Sequence, residues 1–185
     1  YATQKWFDMH PREKIKLPLV HKNDRKDLSQ YAIDLTNLNH VSPTHKWVSE
    51  AGQWDHAVQS YLASVTFADH CLGLVLDALE SSAYGKNTVI ALFSDHGFHL
   101  GEKERWAKRS LWEDGTRVPI IVSAPGYKKN QRSDRPAELL DVFPTLLELA
   151  GLSADSSQEG QSLVPLMKDP KREWKHPAIT SFGLG

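Results

Sequence analysis

The chain has 185 residues, 40% of them hydrophobic and 24% charged, and its 22 Lys and Arg against 23 Asp and Glu leave a formal net charge of -1. That length suits one domain or a large part of one. The charge balance excludes both the basic excess of a nucleic-acid binder and the acidic excess of a disordered, solvating chain. A single Cys excludes an internal disulfide framework and a multi-cysteine zinc site. No uninterrupted apolar run approaches the roughly 20 residues of a membrane span.

Residues 1–44 read as irregular: Pro11, Pro18 and Pro43 punctuate them, and the charged run from His21 to Asp27 has no amphipathic order. The pattern predicts an extended, solvated segment with one short helix near residues 28–35. The chain opens without an initiator Met or an apolar signal core, and residues 178–185 read as a strand cut off as it ends. The expectation is a piece of a longer protein.

Over residues 53–80 the pattern changes. Leu62, Val65, Leu72, Val75, Leu76 and Leu79 recur at three- and four-residue steps, the apolar stripe of a long amphipathic helix that ends before Gly85. Cys71 lies beside that stripe and reads as a small core residue, not a nucleophile. Residues 88–93 form a continuous β-branched and apolar run, which predicts a strand buried on both faces of a parallel sheet. Residues 118–124 predict a second such strand, with Pro119 at its start where a missing donor is tolerated. Residues 141–150 predict a short helix with Pro144 in its first turn and Gly151 past its end. Helix, strand, long loop, strand and helix make an α/β layout.

The strand ending at Phe93 runs into Ser94, Asp95, His96 and Gly97. Open α/β sheets bind ligands just beyond the carboxyl ends of their strands. A carboxylate and an imidazole fixed there can serve as metal ligands; a turn with a capping Asp and an exposed His is the bland alternative. Gly97 lets the backbone turn sharply and come close to a ligand.

The ordered motifs Ser94-Asp-His-Gly97, Leu100-Gly-Glu102, Trp106-Ala-Lys108, Glu113-Asp-Gly-Thr-Arg-Val-Pro119 and Asp141-Val-Phe-Pro-Thr-Leu-Leu-Glu-Leu-Ala-Gly151 resemble the C-terminal half of a sulfatase catalytic domain, in the alkaline-phosphatase superfamily. The helix from Tyr61 and the opening Trp6-Phe-Asp-Met-His-Pro11 are similar to the same family, with most likeness to iduronate-2-sulfatases and related bacterial sulfatases. The resemblance implies an α/β fold, part of a three-layer domain with a mostly parallel sheet flanked by helices, residues 1–185 being its C-terminal portion. It implies hydrolysis of a sulfate ester on a sulfated carbohydrate, in a periplasmic, secreted or lysosomal setting. The alternatives are a phosphonate monoester or phosphodiester hydrolase of the same superfamily and a non-catalytic binding domain.

The resemblance also assigns roles. Asp95 and His96 would ligate a divalent cation, Ca²⁺ first, with Mn²⁺ or Zn²⁺ as alternatives because His96 offers nitrogen where Ca²⁺ prefers oxygen. Lys108 would contact the sulfate group. His99 is a candidate substrate contact, an exposed loop histidine being the alternative. Glu113 and Arg117 match an element read as packing support, with Arg117 in an ion pair or on the substrate. Trp106 and Trp112 flank Lys108 as loop anchors or pocket wall. Lys128, Lys129, Arg132 and Arg135 read as a solvated loop, or as a patch that steers an anionic glycan.

Two departures stand out against the family pattern. Its nucleophile, a formylglycine made from Cys or Ser in a Cys/Ser-x-Pro/Ala-x-Arg motif, has no counterpart here: Cys71 is followed by Leu72, Gly73, Leu74 and Val75. The family's N-terminal Asp pair is absent too. Both are expected from the missing N-terminal part of the same protein, and this polypeptide alone is expected to be inactive. Lys103 stands where the family often has His.

Overall fold

The computed structural model describes residues 2–21, 23–36, 42–153 and 157–181. In chain order its helices begin with α1 (Gln4–Asp8), α2 (Gln30–Thr36), α3 (His45–Glu50) and α4 (Trp54–Glu80). Then come β1 (Ile90–Phe93), β2 (His99–Leu100), β3 (Trp106–Ala107), α5 (Glu113–Thr116), β4 (Ile120–Ser123), α6 (Val142–Leu149) and α7 (Val164–Lys168). The chain divides into two compact units, Tyr1–Ala78 with His96–Arg117, and Leu79–Asp95 with Val118–Gly185.

The first unit is built on α4. Thr44 caps α3 by accepting the Trp47 N–H at 3.2 Å, the usual use of a hydroxyl at a helix start. The opening segment, expected to be extended, forms α1 because Trp6 is buried against α4, its ring 5.7 Å from Phe67 and 5.0 Å from His70. Gln59 donates to the His10 carbonyl at 2.8 Å, His10 pairs with Thr66 at 2.7 Å, and Arg12 meets Asp55 at 2.7 Å.

Beyond this contact α4 departs from expectation. Its stripe forms as the periodicity predicts, yet Leu74 is 58% and Val75 65% exposed, and Cys71 is an exposed thiol instead of a core residue. Among the described residues, the stripe at that end of the helix is at most half-buried, at Leu72 and Leu79. With 27 residues, α4 is also long and apolar enough to cross a membrane by length and composition. It holds no long uninterrupted apolar run, because Asp69, His70 and Asp77 break the sequence without making the helix polar.

In the second unit β1 pairs with β4, Ile90 opposite Ser123 and Phe93 opposite Ile120. Both strands fall within their expected spans and the α/β class holds. The pairing is antiparallel, where the apolar runs suggested two strands of a parallel sheet, and Leu92, Phe93 and Ile121 are exposed instead of covered. A run of β-branched residues records a preference for extended backbone and burial; it does not encode the direction of the neighbouring strand. The expected helix over 141–150 is α6, entered through a 3₁₀ turn at Leu139–Asp141 and left through Gly151 at φ 69°. Buried Asp141 accepts from the N–H of Glu138 at 2.9 Å and of Gln161 at 2.7 Å, and Thr145 accepts from Leu163 N–H at 2.8 Å, docking the segment before α7.

The basic run lines a groove of about 700 Å³ beside β4, in which Arg132 pairs with Asp134 at 3.1 Å and Arg135 donates to the Lys171 carbonyl at 2.7 Å. The strand expected at 178–185 does not form over 178–181, and the rest lies outside the described residues.

Candidate active site

The candidate residues of the first unit lie on or beside a two-stranded hairpin, His99 within it, His96 before it and Lys108 directly after it. His99 lies opposite Ala107 and Leu100 opposite Trp106. The turn between them is tied at both ends: Leu100 N–H donates to the Glu102 carboxylate at 2.7 Å, and Gly101 N–H to the Arg105 carbonyl at 3.0 Å. Trp54 at the start of α4 donates its indole N–H to the Leu100 carbonyl at 2.7 Å. Lys103, which departs from the family pattern, pairs with Asp24 at 2.9 Å, and Glu104 pairs with Arg25.

His96 is read by its two ring nitrogens. Nδ1 lies 2.7 Å from the Gly97 carbonyl and Nε2 lies 2.7 Å from Lys108 Nζ. A carbonyl can only accept and an ammonium can only donate. The consistent assignment is therefore a neutral imidazole whose Nδ1–H donates to Gly97 and whose Nε2 lone pair accepts from Lys108. Two expected site residues, twelve positions apart, are thus brought together. Asp95 is exposed and adjoins His96 in the chain as the last residue of the second unit. Among the described residues, no three or more His, Cys, Asp or Glu gather as a metal cluster.

Lys108 is exposed and flanked by two non-glycine residues in the left-handed region, Ala107 at φ 61° and Arg109 at φ 62°. Around it the loop is anchored from inside. Arg105, 2% exposed, donates Nη2 to the Lys108 carbonyl at 3.1 Å and Nη1 to Ser42 Oγ at 3.3 Å. Buried Trp106 donates Nε1 to His45 Nδ1 at 3.2 Å, which makes it a loop anchor. Burial pushes the His45 imidazole below its usual pKa, more than the nearby Glu104 raises it.

His99 lies in the interior and not on the loop surface expected of it. It is 0% exposed, so it neither dangles from the loop nor presents a face to a ligand. Its Nε2 lies 2.6 Å from Ser110 Oγ, its Nδ1 is 3.9 Å from the Asp114 carboxylate, and Trp112 packs edge-on at 6.0 Å. Burial lowers its pKa, opposed by the charges of Asp114 and Glu102. Glu113 and Arg117 form a 3.4 Å pair across one helical turn, exposed on both sides, and so do not pack.

Sequence reasoning missed Arg105 and Ser110. An arginine in a charged stretch gives no signal of burial, since most arginines are exposed.

The sulfatase family model matches residues 7–152. A sulfatase of Formosa agariphila is 42% identical over 183 residues, which cover 99% of this chain and 36% of that protein. A protein solved in complex with its substrate D-glucosamine-2-N,6-O-disulfate superposes with a TM-score of 0.61 at 30% identity, over 70% of this chain and 25% of that one. The phosphonate monoester hydrolase of Silicibacter pomeroyi superposes with a TM-score of 0.75 over 94% of this chain and 36% of that one, and at 24% identity the likeness is one of fold alone. The fold is the α/β, alkaline-phosphatase-like fold of these neighbours. The chain spans about a third of the length of the curated relatives it matches.

Proposed function

The chain belongs to the sulfatase family, and from that premise we propose that the protein containing it hydrolyses sulfate esters, with sulfated carbohydrate as the substrate class. Residues 1–185 form the C-terminal portion of its catalytic domain in this reading. The observation that carries it is the Lys108 ammonium held against His96 Nε2, next to Asp95 in the chain. A sulfate monoester is anionic, and as its S–O bond breaks charge moves onto the leaving oxygen. A compact ammonium positioned beforehand stabilises that charge without reorganising at the moment of reaction.

The donor set fits a divalent cation. His96 anchors Nδ1 on the Gly97 carbonyl, the arrangement by which metal-binding imidazoles are oriented, and its Nε2 is the nitrogen a cation would take in place of the Lys108 ammonium; Asp95, the preceding residue in the chain, is the second ligand of this reading. Such a cation, when bound, supplies Lewis-acid polarisation of the sulfuryl oxygens. Ca²⁺ is the first choice from family likeness; the nitrogen donor speaks for Mn²⁺ or Zn²⁺. The other ligands and the formylglycine nucleophile are assigned to residues outside these 185, because Cys71 lies within α4 and lacks the required sequence around it. The resemblance suggests a periplasmic, secreted or lysosomal setting.

The test is a substrate panel on the full-length protein: p-nitrophenyl sulfate, phosphate and phenylphosphonate esters at matched concentration. Sulfate turnover is expected to dominate. Turnover confined to the phosphonate would transfer the protein to that reaction, and none with any ester would leave a binding domain.

A further inference from the structure

We propose that the buried side chains of Arg105 and His99 are positioning residues that hold Lys108 in its working conformation. This deepens the reading given above and rests on it. Lys108 lies between Ala107 at φ 61° and Arg109 at φ 62°. Left-handed backbone is disfavoured for residues with a Cβ and persists only where the surroundings over-determine it.

Here the surroundings do so from two sides. Arg105, at 2% exposure, bonds the carbonyl of Lys108 itself. His99, at 0% exposure, bonds the hydroxyl of Ser110, two residues further on. The fit beneath the loop is tight: a Cβ added at Gly115 would lie 2.6 Å from Ser110 Oγ and 3.3 Å from His99 Nε2. Burying a guanidinium and an imidazole is costly, and apolar residues would fill the same space more cheaply. What these two supply that apolar residues cannot is a directed bond to the loop backbone and to its hydroxyl. Neither presents a surface to substrate, so each acts through Lys108.

The experiment is a set of double-mutant cycles in the full-length protein, with p-nitrophenyl sulfate as the probe. Arg105→Lys, His99→Gln and Ser110→Ala are each expected to lower kcat about tenfold to a hundredfold, the penalty of an ångström-scale misplacement, with KM nearly unchanged. In a Lys108→Ala background the same changes are expected to cost less than about twofold, because the group they position is gone. Penalties that multiply in full in that background overturn the proposal and leave the role of Lys108 standing. Wild-type turnover in Lys108→Ala alone overturns the reading of Lys108, and the proposal with it. Should the Arg105 or His99 variants fail to fold, Ser110→Ala, alone and with Lys108→Ala, decides: it removes one hydroxyl and is checked by its cooperative melt.

Discussion

The Nζ of Lys108 sits 2.7 Å from Nε2 of His96, while His96 spends its only ring proton on the Gly97 carbonyl. The lysine is therefore docked on an acceptor and not adrift in solvent, although both residues stand at the surface of this chain. If it stabilises charge developing on the leaving oxygen, Lys108→Ala in the full-length protein lowers kcat/KM by about 10²–10³, roughly 3–4 kcal/mol. Steady-state kinetics on an aryl sulfate check this, and near-wild-type values would remove Lys108 from the site.

The same lone pair sets up a second expectation. Nε2 has one pair of electrons, which serves either the Lys108 ammonium or a cation. Asp95→Ala is expected to lower the bound metal of the full-length protein, whereas Lys108→Ala, which removes a competitor and a repelling charge, retains it. Elemental analysis of the purified variants reads both. Unchanged stoichiometry in Asp95→Ala would refute its assignment as a ligand.

Much of this was legible in the residues. α4, β1, β4 and α6 follow from apolar period and from Gly and Pro punctuation, and the ordered motifs around Asp95, His96 and Lys108 carry the family. Strand direction was not legible, because Ile90–Phe93 and Ile120–Ser123 are apolar whichever way they pair. Exposure was not legible either. The α4 stripe looks like a core-facing surface in one dimension, yet Leu74 and Val75 are more than half exposed. His99 erred the other way: two positions past Gly97 it reads as a loop residue, but β2 turns it into the interior.

That burial has a pH signature. His99 and His45 are both pushed below the usual histidine value by burial, so the fold keeps them neutral where the unfolded chain begins to protonate them, near 6.5. Below that pH the unfolded state binds more protons, so the stability these residues contribute is complete above it and declines as pH falls. The decline is at most about 1.4 kcal/mol per pH unit for each unmatched proton. Thermal melts of the full-length protein at about pH 7.5 and about pH 5.5 should show a shallower acid loss in His99→Gln than in the wild type. Superimposable slopes would mean that His99 is not held neutral.

Gly97 offers the most direct test of the geometry around His96. Its N–H donates to the Gly115 carbonyl at 2.9 Å, and a Cβ at this position would lie 2.1 Å from the Asp114 carbonyl oxygen and 2.8 Å from its carbon. The obstruction is backbone, which cannot swing aside as the end of a long side chain can. Gly97→Ala must therefore part the two segments, at a cost of about 1–3 kcal/mol. It also carries His96 with it, since that imidazole is anchored on the carbonyl of residue 97. Both the melting temperature and the turnover of the full-length protein are expected to fall. Gly73→Ala is the control, because it lies within α4 with nothing within 4 Å of the added methyl and exchanges a helix-weakening residue for a helix-forming one. Its melting temperature should hold or rise. A Gly97→Ala protein as stable and as active as the wild type would show that the two backbones do not meet there.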